Sequence, residues 1–155
     1  MGATRPDSQP ARSLSERRLD TLARLRTDVD LWVASASGDG EAYLVPLSYY
    51  WDETSLTIAA PRSSRTARNL IRAAWARVAL GPTRDVVLID GPVEAIPIGT
   101  DAALEDAHAK ASGFDPRTEP TEYVYLRITP TTIQAWREAN ELDGRDLMRD
   151  GVWLS

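Results

Sequence analysis

Apolar and polar residues alternate with a period of two along much of this chain, in short runs separated by turn residues. The clearest run is Ser55-Leu56-Thr57-Ile58-Ala59, and Ser37-Gly38-Asp39-Gly40 is a typical turn between two others. Such runs predict half-buried β-strands, and two successive hairpins predict antiparallel pairing. The predicted strands are residues 31–35, 41–51, 55–60, 77–80, 86–98 with a break or bulge at 90–92, 123–129 and 132–137.

Three segments carry helical signals instead. Residues 13–16 have the spacing of a capping box, and apolar residues then recur at helical spacing from Leu19 to Leu25, which predicts a helix over 14–26. Further helices are predicted over 64–76 and 101–112. Because strands and helices do not alternate as βαβ units, the fold class predicted is mainly β, a closed antiparallel β-barrel with short helices.

The domain organisation predicted is one barrel domain with a short extension at each end. A chain of 155 residues fits a single domain. Residues 1–12 are polar and lack apolar periodicity, so a flexible N-terminal tail is expected there. Residues 13–137 would form the barrel domain. Residues 138–155 are mostly polar and would form a C-terminal extension.

Composition excludes several classes of function. A net charge of -5 and a pI of about 4.9 argue against general nucleic-acid binding. Without cysteine there is no disulfide, thiolate nucleophile or cysteine metal site, and a single histidine supports neither a histidine metal pair nor a Ser-His-Asp triad. No apolar run reaches the ~20 residues of a membrane span, and no apolar signal core is present. A cytoplasmic protein with no membrane partner is therefore expected.

The strongest chemical signal is a serine followed by arginines at the start of the second predicted helix. A strand ends at Pro61, and Ser64 can accept the amide hydrogens that a first helical turn leaves free. Arg65, Arg68 and Arg72 share one face of that helix. A helix N-terminus favours phosphate, and guanidinium groups match phosphate oxygens. The segment therefore predicts an anion-binding cradle.

The local charge supports this interpretation. Between Arg62 and Arg84 there are six arginines and no acidic residue, although the chain as a whole is acidic. The alternative is an ordinary solvated basic face of a helix, which needs no ligand.

Other candidates have a plain structural alternative. Pro46 lies in a predicted strand, where it either frees an edge for a ligand ring or is an ordinary edge proline. Trp136 and Arg137 end the last predicted strand, where they either border a ring pocket and reach an anion or are a core tryptophan beside a solvated arginine. His108 is interpreted as a surface histidine.

The order of these features resembles the pyridoxamine 5'-phosphate oxidase-like, FMN-binding split-barrel superfamily over residues 19–137. The matching positions are Pro46, Ser64-Arg65, Arg68-Asn69-Leu70, Asp90-Gly91 and Trp136-Arg137. These details and the tail over 147–154 look closest to an actinobacterial branch, many of whose members use the deazaflavin F420 in place of FMN. The resemblance implies a split antiparallel β-barrel and a homodimer with cofactor sites at its interface, where some of the aromatic residues among 49–51 and Trp75 would face the partner.

By this resemblance, Ser64, Arg65 and Arg68 would hold the cofactor phosphate, and backbone on two strands would border the ring. The residues assigned to cofactor binding are Pro46, Leu47, Ser48, Ala59, Ala60, Ser64, Arg65, Arg68, Asn69, Trp136 and Arg137. The pyridoxamine-oxidising members carry a lysine where this chain has Thr66, so that particular activity is not expected.

The resulting hypothesis is an FMN- or F420-dependent oxidoreductase that transfers a hydride to or from a small organic substrate. Such cofactors carry the hydride chemistry themselves, so no catalytic side chain and no metal are assigned. The excess of arginine over residues 62–84 would suit the anionic tail of F420. Two alternatives stay open: a non-catalytic carrier of flavin, F420 or haem, and an interaction module that kept the barrel and lost the cofactor.

Overall fold

Six strands close into an antiparallel β-barrel at the centre of the structure, a computed structural model that describes residues 9–155. The barrel strands are β1 (Asp30–Ala36), β2 (Ala42–Trp51), β3 (Leu56–Pro61), β4 (Trp75–Leu80), β5 (Val86–Pro97) and β6 (Tyr123–Ile128). Their order is β1-β2-β3-β6-β5-β4, and β4 pairs back with β1 to close the barrel. The predicted mainly β, split antiparallel barrel fold is confirmed.

Helices and a small sheet extension surround this barrel. Within residues 9–155 the helices are α1 (Leu14–Thr27), α2 (Arg65–Ala73) and α3 (Ala102–Ser112), and β7 (Thr132–Trp136), β8 (Asp146–Arg149) and β9 (Val152–Trp153) extend the sheet from β5. A short 3-10 turn lies at Pro116–Thr118 and another at Ala139–Glu141. No helix in the described part of the chain is both long enough and apolar enough to cross a bilayer.

The barrel interior forms the main core. Val33, Ile58 and Leu126 are fully buried there, because the two-residue period of a strand directs every second side chain inward. Leu25 of α1 and Leu70 of α2 join the same core. The helices are therefore held by apolar contacts with the barrel, and their polar faces remain available for other contacts.

Helix α1 begins with the predicted capping box and packs Leu22 and Leu25 on the core as expected, but Leu19 does not share that face. Leu19 was expected on the apolar face and is instead 66% exposed. The buried residues of α1 are Arg17, Thr21 and Leu25, spaced by four. That stripe includes an arginine and a threonine, so a hydrophobic pattern alone does not locate it.

Helix α2 is shorter than the predicted range of 64–76. It ends at Ala73, and Ala74 adopts a left-handed conformation with φ of 53° while its amide donates to the Leu70 carbonyl at 2.8 Å. Trp75 then opens β4. The last three residues of the predicted helix therefore belong to a turn and a strand.

Strand β5 is continuous through Asp90-Gly91-Pro92, where a break or bulge was predicted. Its first half pairs with β4 and β7 and its second half with β6. A Cβ atom at Gly91 would overlap the carbonyl oxygen of Thr129. The glycine therefore permits a close approach of two backbones, which lets one long strand serve two parts of the sheet.

The C-terminal residues pack onto the barrel domain. Leu147 and Met148 of β8 are buried, and Met148 pairs with Ile133 of β7. The Arg12 guanidinium donates to the Glu141 carboxylate at 2.8 and 2.9 Å, and these bonds lower the pKa of Glu141 to about 2. Residues 1–8 of the predicted tail lie outside the described residues, and the predicted domain boundaries stay predictions.

Candidate functional site

Helix α2 carries the predicted phosphate-binding residues and is oriented by its apolar face. Ala67 and Leu70 are fully buried against the core, which leaves Arg65 and Arg68 exposed on the other side. The Ser64 hydroxyl accepts from the Ala67 amide at 3.2 Å, as a capping serine should. The remaining backbone N–H groups of the first turn have no acceptor within the helix. This end of α2 therefore suits an anion.

A cavity of about 280 Å³, here called the arginine cavity, lies between α2 and the β1–β2 turn. Its lining residues are Ser37, Gly38, Glu41, Ala42, Tyr43, Arg65, Arg68, Asn69 and Arg72. The Asn69 amide donates to the Ser35 hydroxyl at 3.1 Å, and the Arg72 guanidinium donates to the Ala36 carbonyl at 2.7 Å. These two bonds fix α2 against the end of β1 and bring three arginines to one cavity.

The arginine cavity carries more positive than negative charge. Glu41 is the one acidic residue in its lining, and its carboxylate lies 3.9 Å from the Arg65 guanidinium in a solvent-exposed pair, which interacts weakly. The Arg65 guanidinium also lies 5.7 Å from the centre of the Tyr43 ring. Within residues 9–155, Arg68 and Arg72 have no carboxylate at ion-pair distance. An anionic ligand would therefore meet guanidiniums that are not already neutralised.

Strands β2 and β3 separate next to α2. They pair only from Trp51 with Leu56 to Tyr49 with Ile58. Beyond that point the backbone of residues 46–48 has β1 as its one paired neighbour, and the backbone of residues 59–60 has β6. The opening, here called the split, therefore has the predicted segments Pro46-Leu47-Ser48 and Ala59-Ala60 on its two sides.

Side chains at the split point in different directions. Ala60 is buried in the barrel, whereas Ala59 packs against the cluster under α3. Leu47 packs against the barrel core, and the Ser48 hydroxyl donates to the Asp30 carboxylate at 2.7 Å. Pro46 is exposed and pairs with Trp32 of β1. Because these side chains point in different directions, the five residues border the split together only through their backbone atoms. Their assignment to the binding of a cofactor ring stays a prediction.

An apolar patch lies on the outer surface of the barrel beside the split. Trp32, Leu44 and Trp75 are 48%, 59% and 48% exposed. The registers of β1 with β2 and of β1 with β4 place these side chains, Pro46 and the exposed Arg77 on the same outer surface, here called the barrel face. Of the aromatic residues predicted to meet a partner, Trp75 lies on this face, whereas Tyr49 and Trp51 are buried in the core. Trp32 was not predicted.

Trp136 and Arg137 lie away from the arginine cavity within one chain. Trp136 pairs with Val86, at the beginning of β5. This part of β5 lies beside the last residues of β4, whereas α2 leads into the first residues of β4. The Arg137 guanidinium lies 3.4 Å from Asp85 and 3.6 Å from Asp20. Its charge is thus already compensated, and a role for either residue with the cofactor stays a prediction.

His108 is buried, so its interpretation as a surface histidine is wrong. It is 2% exposed on the inner side of α3, where its ring meets Tyr125 edge to face at 5.4 Å between centroids. Neither of its ring nitrogens has a hydrogen-bond partner in the described part of the chain. Burial lowers the pKa of His108, and the nearby Asp115 carboxylate opposes this shift. The apolar spacing of a short helix did not distinguish its inner face from its outer one.

A second and larger opening was not predicted from the sequence. It has a volume of about 860 Å³ and lies between α1 and the residues from β7 to the C-terminal end. Leu14, Arg17, Gln134, Arg145 and Trp153 are among its lining residues. The sequence carried no signal for this opening, because the hydrophobic pattern does not locate the buried stripe of α1 that includes Arg17. Among residues 9–155 no cluster of histidine, aspartate and glutamate suited to a metal ion is present.

Comparison with known proteins agrees with this geometry. The family model described as pyridoxamine 5'-phosphate oxidase matches residues 23–137. No curated protein matches the chain significantly. An F420 reductase shares 16% identity and a TM-score of 0.60, with 72% of this chain and 93% of that one covered.

Two further solved structures share the fold. A pyridoxamine 5'-phosphate oxidase-related, FMN-binding protein from Nostoc punctiforme shares 16% identity over 79% of this chain and 78% of that one, with a TM-score of 0.51. A heme-binding protein from Mycobacterium smegmatis shares 16% identity and a TM-score of 0.69 over 96% of this chain but 60% of its own length. The match of the family model over most of the chain, on a closed split barrel, shows that this protein belongs to the pyridoxamine 5'-phosphate oxidase-like family of flavin-binding split barrels.

Proposed function

We propose that this protein is an oxidoreductase that uses FMN or F420 to transfer a hydride to or from a small organic substrate, and that it works as a homodimer. The observation that carries the proposal is the arginine cavity, which α2 lines from Arg65 to Arg72 next to the split between β2 and β3, while Ser64 at the start of α2 is not among its lining residues. Three guanidiniums and a helix N-terminus suit a phosphate, and unpaired strand backbone suits the polar edge of a ring.

The size of the arginine cavity fits the phosphate end of such a cofactor rather than the whole molecule. A volume of about 280 Å³ is at the lower limit of small-molecule pockets, so a tricyclic ring would lie outside it. The split and the barrel face are the neighbouring surfaces that can receive the ring. Arg65, with 62% of its side chain exposed, extends the positive surface outward, which supports F420 because its tail is anionic.

The chemistry divides between cofactor and chain. FMN and F420 both supply a ring that carries the hydride. Arg65, Arg68 and the α2 N-terminus would bind the phosphate and set its position. The exposed tryptophans of the barrel face would exclude water from the ring once a second copy covers them. Within residues 9–155 Glu41 and Tyr43 are the lining residues of the arginine cavity that could act as a general acid or base, and the rest of the lining suits binding and orientation of a ligand.

The test is a titration of the purified protein with FMN and with F420 in parallel, by equilibrium dialysis and by thermal unfolding. Binding at micromolar concentration, with a rise in melting temperature as the ligand is added, is expected for one of them. The bound cofactor, reduced chemically, should then be reoxidised by members of a panel of quinones and enones faster than the free cofactor is. Binding without any such transfer would favour a carrier, and no binding of either cofactor would favour an interaction module.

Histidine ligation of haem is not supported by this chain. The fold is shared with a heme-binding protein, but at 16% identity that likeness concerns the fold alone. His108 is the single histidine, and it is buried between α3 and the barrel. It therefore cannot serve as an axial ligand at either opening without displacement of the helix.

A further inference from the structure

We propose that the opening between α1 and the C-terminal residues, here called the α1 cleft, binds an organic carboxylate with an aromatic body. The α1 cleft has a volume of about 860 Å³ and is lined by Arg17, Arg145 and Arg149 together with Leu14, Gln134 and Trp153. None of its lining residues belongs to the arginine cavity. It is therefore a second site, and its ligand need not be the cofactor.

Arg17 is the main reason for this assignment. Its side chain is buried, with only 7% of the residue exposed. One terminal nitrogen donates to the Gly144 carbonyl at 2.9 Å and to the Ala135 carbonyl at 3.3 Å, while the buried Nε has no partner among residues 9–155. No carboxylate in that part of the chain lies within ion-pair distance of it. Burying a cation without a counter-charge is unfavourable, so an anion at the α1 cleft would complete the site.

The other charged side chains of the α1 cleft do not provide that anion. Asp146 is its one carboxylate side chain, and it is already bound by Arg149 at 2.7 Å and by the Gln134 amide at 2.7 Å. Arg145 lies 5.5 Å from the centre of the Trp136 ring and, within residues 9–155, has no carboxylate at ion-pair distance, although its charge contributes to lowering the pKa of Asp146. Two guanidiniums, those of Arg17 and Arg145, thus remain for a ligand carboxylate.

The rest of the cleft suits a flat apolar group. Leu14 and Trp153 line it, and Val152 beside Trp153 is 64% exposed. The Arg18 guanidinium lies 4.6 Å from the centre of the Trp153 ring, which holds that indole in place. An aromatic ring can pack against the indole while its carboxylate reaches the guanidiniums.

The experiment uses 2-naphthoate and its neutral counterpart 2-naphthamide as probes of the full-length protein, followed by NMR with the indole of Trp153 as reporter. We expect 2-naphthoate to shift the Trp153 signal with saturation, and 2-naphthamide to bind at least about tenfold more weakly because it lacks the charge. Equal binding of the two probes, or no binding of 2-naphthoate up to about 10 mM, would overturn the proposal.

Variants locate the carboxylate. Arg145→Gln removes one guanidinium from a half-buried position and should weaken 2-naphthoate binding by about tenfold while leaving 2-naphthamide unaffected. Arg17→Lys keeps the charge and should lose part of the affinity, with folding checked by circular dichroism. Arg84→Gln, on an exposed arginine outside both cavities, is the control and should bind like the wild type. An Arg145→Gln variant with wild-type affinity would contradict the proposal.

The α1 cleft and the cofactor proposal are tested separately. Arg68→Ala should leave 2-naphthoate binding unchanged, because Arg68 lines only the arginine cavity. If FMN or F420 instead displaces 2-naphthoate competitively, the α1 cleft is part of the cofactor site, and the inference of a second site is wrong.

Discussion

Arg68 lies on the exposed face of α2 without an ion pair in the described chain, whereas Arg72 one turn later donates to the Ala36 carbonyl. Arg65 is intermediate, since it lies near both Glu41 and Tyr43. Three arginines on one helix face therefore differ in how freely they can bind an anion. Sequence spacing put them on the same face but could not give these differences, because the partners come from the distant β1–β2 turn.

Substitution of the arginines is predicted to separate these roles. Arg68→Ala or Arg65→Ala should weaken FMN or F420 binding by about 1.5–3 kcal/mol, roughly ten- to hundredfold, because a charge-assisted hydrogen bond to phosphate is lost. Arg72→Ala should have a smaller effect, since its guanidinium is already engaged. Equilibrium dialysis measures the affinity, and Arg84→Ala is the matched control. Equal effects of all four substitutions would show that the helix face is merely solvated.

Gly91 gives a prediction about stability. Gly91→Ala would place a methyl group against the Thr129 carbonyl, so the backbones of β5 and the β6–β7 connection would have to move apart. A loss of about 1–3 kcal/mol in the free energy of unfolding is expected, as for other overpacked sites. Gly38→Ala is the control, because its added methyl group would be 3.9 Å from the nearest atoms of Arg72. Urea denaturation measures both, and equal stability of the two variants would contradict the close approach.

At the scale of elements, α3 shows how packing overrides a polar residue's usual location. Leu104, Glu105 and His108 are its buried residues, and His108 packs against Tyr125 of β6. The Glu105 carboxylate accepts from the Gly99 amide at 2.9 Å, whereas the His108 nitrogens have no partner among residues 9–155. A protonated His108 would be a buried charge, so α3 is the element most sensitive to acid near neutral pH.

This arrangement predicts a pH dependence of stability. The pKa of His108 is lowered in the folded protein, so below about pH 6.5 the unfolded chain binds a proton that the folded chain does not. The free energy of unfolding should therefore fall as the pH drops from about 6.5 to 5, by at most about 1.4 kcal/mol per pH unit, and stay level above about pH 7.5. Urea denaturation across this range measures it.

The chain offers a clean control for this effect because it has one histidine. His108→Phe should keep the aromatic contact with Tyr125 and lose the slope between about pH 6.5 and 5. Lys110→Gln, at an exposed position of the same helix, should keep it. If the free energy of unfolding of His108→Phe still fell over this pH range, the pH dependence would come from other titratable groups.

At the scale of the whole molecule, the barrel face and the split lie side by side. The register that leaves Trp32, Leu44 and Trp75 exposed is the one that closes the barrel through β1 and β4. Several large exposed apolar side chains on one face of a small protein commonly mark an interaction surface. The proposed homodimer would cover the patch and complete the cofactor site with residues of the partner.

The dimer is predicted to have about twice the 17.1 kDa mass of the chain in light scattering at micromolar concentration. The double variant Trp32→Glu with Trp75→Glu should be monomeric and should bind the cofactor more weakly, because buried tryptophans contribute strongly to interfaces. Leu19→Glu, on an α1 residue that is 66% exposed, is the control and should stay dimeric. A monomeric wild type that binds the cofactor tightly would refute the shared site.

By itself the sequence determined the elements that depend on local periodicity and capping. Alternation of apolar residues predicted the strands, the Ser13 and Ser64 caps predicted where α1 and α2 begin, and the resemblance to a family predicted the split barrel. These features follow from interactions between near neighbours, or from motifs carried by contiguous residues.

Only the tertiary structure decided which polar residues are buried and which residues share a cavity. The register of β2 with β3 set the split, the packing of α3 buried His108, and the contact of α1 with β7 and β8 enclosed Arg17. Each of these depends on residues far apart in the chain, whose pairing no local pattern encodes. The arginine helix was therefore visible in the sequence, while the surfaces around it were decided by the closed barrel.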